Sequence, residues 1–218
     1  SGTVQTLRTA ARESPIPVRV LDTRTVAAAQ AAGVAAALAA ARTGADADRV
    51  LEAAQTALEA TQLLFWVPSL EQLGRSGRVP RALARVGQML HVKPIATVEQ
   101  GRLRYLERPR QTGPAVQRFA ELVAQRATRA VLADAAARGV PDDHGRAVCL
   151  IQDFWGREVP ERLHHRIEEQ LGGRVPVVRA DLPAALAVHT GLGPTAAASI
   201  PGHLAGALAD PAPDVAGD

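Results

Sequence analysis

Apolar positions along the chain fall into short continuous runs and helical stripes, and their alternation predicts an α/β protein. The clearest example is Leu63 to Ile95. Leu63, Leu64, Phe65, Trp66 and Val67 form an apolar run of strand length, suited to a strand covered on both faces, and Pro68 ends it. Leu70 and Leu73 stand one helical turn apart. Gly74, Ser76 and Gly77 then break the chain, with Arg75 and Arg78 making the break basic. Pro80 suits a first helical position. Leu83, Val86 and Leu90 follow at helical spacing, while Arg78, Arg81 and Arg85 fall on another face. His91 to Ile95 returns to extended chain.

Before this stretch, Ser1 or Thr3 suits the start of a helix carrying Leu7 and Ala10. Such a helix start is also a place for an anion. Pro17 to Leu21 reads as a short strand. Asp22 or Thr23 is placed to cap an alanine-rich helix that starts near Thr25, runs through Ala41 and ends at Gly44. Asp46 or Asp48 opens the next helix, with Val50, Leu51, Ala54 and Leu58 on its apolar side. After Ile95 the pattern becomes antiparallel. Ile95 to Val98 and Arg102 to Glu107 form a hairpin with Gly101 in the turn.

Pro114 to Arg138 predicts one long helix with Val116, Phe119, Leu122 and Val123 inward. Ala147 to Ile151 predicts a buried strand containing Cys149, and Pro160 to Leu171 another helix. His164 and His165 are adjacent on it, hence on different faces, and make no metal pair. Val175 to Val178 is a further strand. Leu182 to Val188 leads, as buried strand, into His189-Thr190-Gly191, two side-chain donors beside an open backbone that a ligand can approach.

Composition narrows the function. The 218 residues can form one large domain or two small ones around a real core. With 47% hydrophobic and 22% charged residues, the chain has the make-up of a soluble globular protein. The net charge of +3 comes from 25 basic residues spread among 22 acidic ones, which favours a local basic patch over a nucleic-acid-binding stripe. Aromatics at 3% argue against stacking platforms for single strands. Cys149 is the one cysteine, so no internal disulfide or cysteine metal site can form, and a reducing cytoplasm is the natural setting. The longest apolar run, Val34 to Ala41, is far short of the ~20 residues of a membrane span.

The order strand, leucine turn, basic glycine loop, helix, strand closely resembles the DegV family of bacterial lipid-binding proteins. Members carry a Gly-Gly-Arg-Ile loop and an Asn-Ile-Lys-Pro-Ile strand. Leu70, Leu73, Gly77, Arg78, Gly87, Leu90, Lys93, Pro94 and Ile95 match position by position; Ser76, Val79 and His91-Val92 are replacements. Ser1-Gly2-Thr3-Val4-Gln5-Thr6 resembles the family's Ser-Gly-Thr-Tyr-Gln-Ser segment. Arg108, Arg110 and Thr112 resemble the basic segment after the family's hairpin. The family signature His-Thr-Gly-Pro-Gly is matched at His189, Thr190, Gly191 and Gly193, with Leu192 in place of proline. Where members usually have His-Ala-Gly, this chain has Gln152-Asp153-Phe154, and no site is carried across there. The likeness runs to about Pro194. In full-length members an N-terminal portion with a Thr-Ser-Gln-Pro-Ser motif precedes the first matched segment, which implies a fragment or a short relative.

The resemblance implies a two-part α/β fold: a parallel-sheet part with flanking helices, and a mixed or antiparallel part. Residues 1–68 would be the remainder of the first part, 69–200 the second, and 201–218 a tail disordered from Pro211 onward. It implies a carrier that is not itself an enzyme and has no cofactor or metal. A long-chain fatty acid would lie between the parts, its carboxylate near Ser1, Gly2, Thr3, His189, Thr190 and Gly191, and would be presented to a partner kinase. Arg78, Arg81, Lys93 and Arg110 would then serve docking of an acidic partner or the head group. Two other readings compete. The fold also resembles that of dihydroxyacetone kinases, but nothing here looks like a Walker loop or a clustered acidic pair for Mg²⁺. The third reading is an inactive structural fragment.

Overall fold

The structure, a computed structural model, describes residues 2–78, 92–155 and 158–208. In chain order these form α1 (Gly2–Glu13), α2 (Ala27–Arg42), α3 (Ala47–Ala60), β1 (Gln62–Trp66), α4 (Glu71–Arg75), β2 (Ile95–Glu99) and β3 (Arg102–Glu107). Then follow α5 (Thr112–Arg138), β4 (Ala147–Asp153), α6 (Glu158–Leu171), β5 (Val177–Asp181), α7 (Ala184–Thr190) and β6 (Thr195–Pro201). The strands make one six-stranded mixed sheet in the order β3-β2-β1-β6-β4-β5. Only β4 and β5 pair in parallel; the other four pairings are antiparallel.

Strand periodicity sorts the core into two faces. Leu64, Trp66, Cys149, Ile151 and Ala197 pack with Phe119, Val123, Leu163 and Ile167 of α5 and α6. Leu63, Val148, Leu150, Ala196, Ala198 and Ile200 pack with Ala28, Ala29 and Ala32 of α2. The α/β class therefore stands as expected. So do the Gly101 hairpin, the long α5, the α6 helix and the Asp46 cap, whose side chain accepts from the Arg49 N–H at 2.9 Å. β1 was expected in the first of two parts, and its neighbours β2 and β6 both come from the second.

Several expectations need correction. Pro17–Leu21 has no regular secondary structure and joins no ladder, because strand pairing is a tertiary matter that local pattern cannot supply. Asp22 and Thr23 do not cap α2. Its cap position is Val26, without a side-chain bond, while Asp22 accepts from the Arg24 N–H and the Thr23 hydroxyl donates to the Thr25 carbonyl, so both shape the approach turn. Leu182–Val188 is not a strand. Pro183 and the helix-favouring Ala184, Ala185, Leu186 and Ala187 make α7 there, so His189 ends a helix. The start of the expected tail is folded: Pro201 lies in β6, and turns at Gly202–Leu204 and Gly206–Leu208 bury Ala205. The helix expected from Pro80 to Leu90, with Arg81 and Arg85, lies outside the described residues. So do Ser1, His91 and Pro211–Asp218.

One buried charge ties this framework together. Asp134 of α5, fully buried, accepts from the Arg146 N–H at 2.8 Å, the His203 N–H at 2.6 Å, His203 Nδ1 at 2.8 Å and the Arg138 guanidinium at 3.1 Å. It thus joins α5 to the start of β4 and to the turn after β6. Burial pushes its carboxyl pKa up, but these hydrogen bonds outweigh burial and hold it down, from 3.8 to about 2. The folded pKa lies below the unfolded one, so this contribution is complete above pH 3.8 and is lost as pH falls through about 2. Asp134→Asn sets an amide N–H against these donors. It is expected to lower stability by about 3 kcal/mol at neutral pH and to flatten the acid limb of the stability curve. Urea unfolding of both chains across the acid range measures this, and equal acid limbs would refute it.

Candidate functional site

On the α2 side of the sheet lies a cavity of about 530 Å³. Its floor is Leu63 and Phe65 of β1 with Ala196 of β6, flanked by Val98 and Leu103 on the hairpin. Val26 and Ala27 close one side, and Leu182, Ala185 and Leu186 the other. Small Ala196 on β6 and large Phe65 on β1 and Leu186 on α7 share its wall. Apolar surface predominates. The polar residues that reach its wall, among those described, are Thr3, Arg78, His189, Thr190 and Thr195.

Four of the residues expected to act on a ligand or partner thus share one cavity, though they come from three distant segments. Thr3 is exposed in the first turn of α1, and Gly2 beside it is exposed. Arg78 is exposed at the end of the loop after α4, and its guanidinium donates to the Ser76 carbonyl at 2.7 Å. His189 Nδ1 is buried without a hydrogen-bond partner among the described residues. The Thr190 hydroxyl donates to the Leu186 carbonyl at 3.2 Å, which leaves its lone pairs open. Gly191 takes φ of 81° and ends α7, its N–H donating to Ala187 at 2.8 Å.

The other expected residues stand apart. Lys93 is half-buried, and its ammonium donates to the Pro68 carbonyl at 2.9 Å, so it ties two loops together. Arg110 is exposed on the loop before α5. Ser1 and Arg81 lie outside the described residues. Pattern reading missed Phe65, Leu103 and Leu186 as cavity walls, although strand alternation puts Leu63 and Phe65 on one face. It also missed Gln72 and Ser76, whose residue types carry no signal. The Gln72 amide donates to the Val188 carbonyl at 2.8 Å, and the Ser76 hydroxyl reaches the His189 carbonyl at 3.5 Å.

A larger cleft of about 880 Å³ meets this cavity at Leu63 and Val98. Its walls are mostly polar, with Arg8, Glu59, Gln62, Glu99 and Arg126 among them, so it suits an apolar ligand less well. On the opposite face of the sheet, Trp66, Thr195 and Asp153 are in register across β1, β6 and β4. There Asp153 meets buried His164 Nε2 at 3.0 Å. Burial and nearby Arg179 hold the His164 pKa below its ordinary value despite Asp153, so the ring is neutral at physiological pH. Among the described residues no group of three or more His, Cys, Asp or Glu is placed to hold a metal ion, and no helix is long and apolar enough to cross a membrane.

Comparison with known proteins agrees with this architecture. The model of the DegV family, described as uncharacterised proteins, matches residues 1–202. A DegV domain-containing protein of Streptomyces coelicolor, SCO2569, is 32% identical over 193 residues, covering 88% of this chain and 63% of its own length. A second, CPE0304 of Clostridium perfringens, is 25% identical over 177 residues, covering 81% of this chain and 57% of its own. The chain therefore spans less than two thirds of the length of these relatives. The crystal structure of Cg2579 from Corynebacterium glutamicum shares the fold, with a TM-score of 0.76 at 24% identity over 92% of this chain and 70% of that one. A Thermus thermophilus DegV family protein, whose structure is described as one of fatty acid binding, gives 0.70 at 25% identity over 92% of this chain and 67% of its own. With the family model covering nearly all of its length, this chain belongs to the DegV family.

Proposed function

We propose that the chain is a fatty-acid carrier that holds an acyl chain in the apolar cavity and presents its carboxylate to a partner fatty acid kinase, without being an enzyme itself. One observation above all supports this reading. A hollow of about 530 Å³, lined largely by aliphatic and aromatic side chains, also has His189 on its wall, and the Nδ1 of that ring is buried with no partner among the described residues. An acyl chain gains about 0.8 kcal/mol for each CH₂ it buries, so dry walls supply affinity. A carboxylate taken into the same space needs donors or the burial fails, and His189 and Thr190 stand where it would end. The Thermus relative, described by its fatty acid binding, is consistent with this, as is a Eubacterium eligens DegV protein loaded with heptadecanoic acid. Mass spectrometry of the purified chain after denaturing extraction tests the reading directly. A co-purifying fatty acid is the expected result; an empty protein that also fails to take up added fatty acid would overturn it.

Thr190→Val keeps the side-chain shape and removes the hydroxyl. In this reading the hydroxyl, which donates to the Leu186 carbonyl in the chain without ligand, turns its proton to the carboxylate, so the variant weakens fatty-acid binding by about 1–3 kcal/mol. Calorimetric titration of both chains decides the matter, and unchanged affinity would remove Thr190 from the site.

The basic side of the reading has its own test. Arg78 is exposed where it reaches the cavity, and an exposed cation there is free to meet an acidic surface. The double variant Arg78→Ala with Arg81→Ala is expected to leave lipid binding intact, slow association with the kinase and weaken the salt dependence of that rate. Loss of lipid binding as severe as the loss of turnover would instead assign the arginines to the pocket.

A further inference from the structure

We infer that Gln72 is a positioning residue for the ligand's carboxylate end: with Ser76 it holds the last turn of α7, and so the places of His189 and Thr190. The inference rests on the reading of the cavity as a fatty-acid site. α7 has seven residues, of which only Ala187 is buried. A helix this short has no stability of its own, and its terminal carbonyls have no partners within it. Its position must come from outside contacts.

The chain before α7 is held by the Leu182 N–H on the Asp153 carbonyl at 2.8 Å, and the chain after it by the Gly193 N–H on Phe154 at 2.8 Å. The last turn itself is held by α4. Gln72 Nε2 donates to the Val188 carbonyl at 2.8 Å, and Ser76 Oγ, whose nearer acceptor is the Leu73 carbonyl at 3.2 Å, lies 3.5 Å from the His189 carbonyl. The backbone at Gly191, with φ of 81°, passes so near that a Cβ there would lie 3.5 Å from Gln72 Cβ. His189 Nδ1 has no partner among the described residues, so no bond at that nitrogen orients the ring. Where the ring stands is then set by where its backbone is held. α4 also bears Leu73, and the loop after it Arg78, both on the cavity wall. The basic loop and the His-Thr turn are thus joined chiefly through the Gln72 amide, 116 residues from the carbonyl it bonds, with Ser76 Oγ beside it.

The test separates a hydrogen-bond role from bulk, and it can fail independently of the fatty-acid reading. Gln72→Glu keeps the length and removes the donor, while Gln72→Lys restores a donor of similar reach. Hexadecanoate titration, the thermal midpoint, and nitrogen and proton NMR of the His189 ring without ligand are measured for each. Gln72→Glu is expected to bind about tenfold more weakly at an unchanged midpoint, with displaced His189 ring signals, and Gln72→Lys to return both toward the native values. If Gln72→Glu unfolds early, Gln72→Met removes the donor without adding charge and takes its place. Native affinity and native His189 signals in the donor-less variant would overturn the inference, as would a folded Gln72→Lys as impaired as Gln72→Glu. Should the native chain bind no hexadecanoate, the fatty-acid reading falls by itself. The His189 ring signals then decide the positioning role.

Discussion

The structure depends on a central strand with three consecutive alanines. β6 lies between β1 and β4 and pairs with both in antiparallel register, so its backbone satisfies itself on two sides while buried. Its side chains bring little bulk to either face. On one, Ala197 lies in the cluster with Ala120, Ala127 and Ala130 of α5; on the other, Ala196 and Ala198 meet Ala28, Ala29 and Ala32 of α2. Small-on-small packing gains less apolar area per residue, but it lets helix and sheet backbones approach closely. Gly33 continues this in α2, since a Cβ there would come within 2.7 Å of Leu58 Cγ in α3.

The cavity is a consequence of that economy of volume. Where α2 covers the alanine floor, the core is filled. Beyond the end of α2, the same low floor is bordered by Phe65, Leu103 and Leu186, and nothing among the described residues fills the space between them. The cavity is therefore a continuation of the core on one face, and its apolar character is inherited from the strands that build it.

These same alanines explain what the sequence shows and what it hides. α5, the Gly101 hairpin and the Asp46 cap were legible because each is decided by local chemistry: long periodicity, a glycine at φ of 75°, a side-chain acceptor at a helix start. β6 was not legible, because Thr-Ala-Ala-Ala-Ser has the propensity of a helix and becomes a strand only through its two neighbours. α7 failed in the opposite sense: a strand was expected from its continuity with β5, but Pro183 and the alanines turn it into a helix. At the site, His189, Thr190, Thr3 and Arg78 could be picked out by residue type and motif. Gln72 could not, since its role depends on a carbonyl far along the chain. Lys93 shows the converse: a cation that motif reading gave to a ligand or partner is bonded to the Pro68 carbonyl.

Polar burial is divided unequally between the two faces, and this bears on what the cavity accepts. The long-helix side carries the charged networks, buried Asp134 with its four donors and half-buried Asp153 with His164, and each of these carboxylates already has a hydrogen-bonding partner. The cavity side has aliphatic and aromatic walls, with the His189 nitrogen unpaired among the described residues and the Thr190 hydroxyl turned to its own helix. Among the described residues no carboxylate lines that space, so an anion there meets no competing acid, whereas a cation finds none of them acidic to compensate its lost hydration. In the carrier reading proposed above, selection between ligands of opposite charge then follows from the described lining. In that reading selection among anions follows from length, because the favourable part of the energy comes from the apolar walls and grows with each methylene they cover.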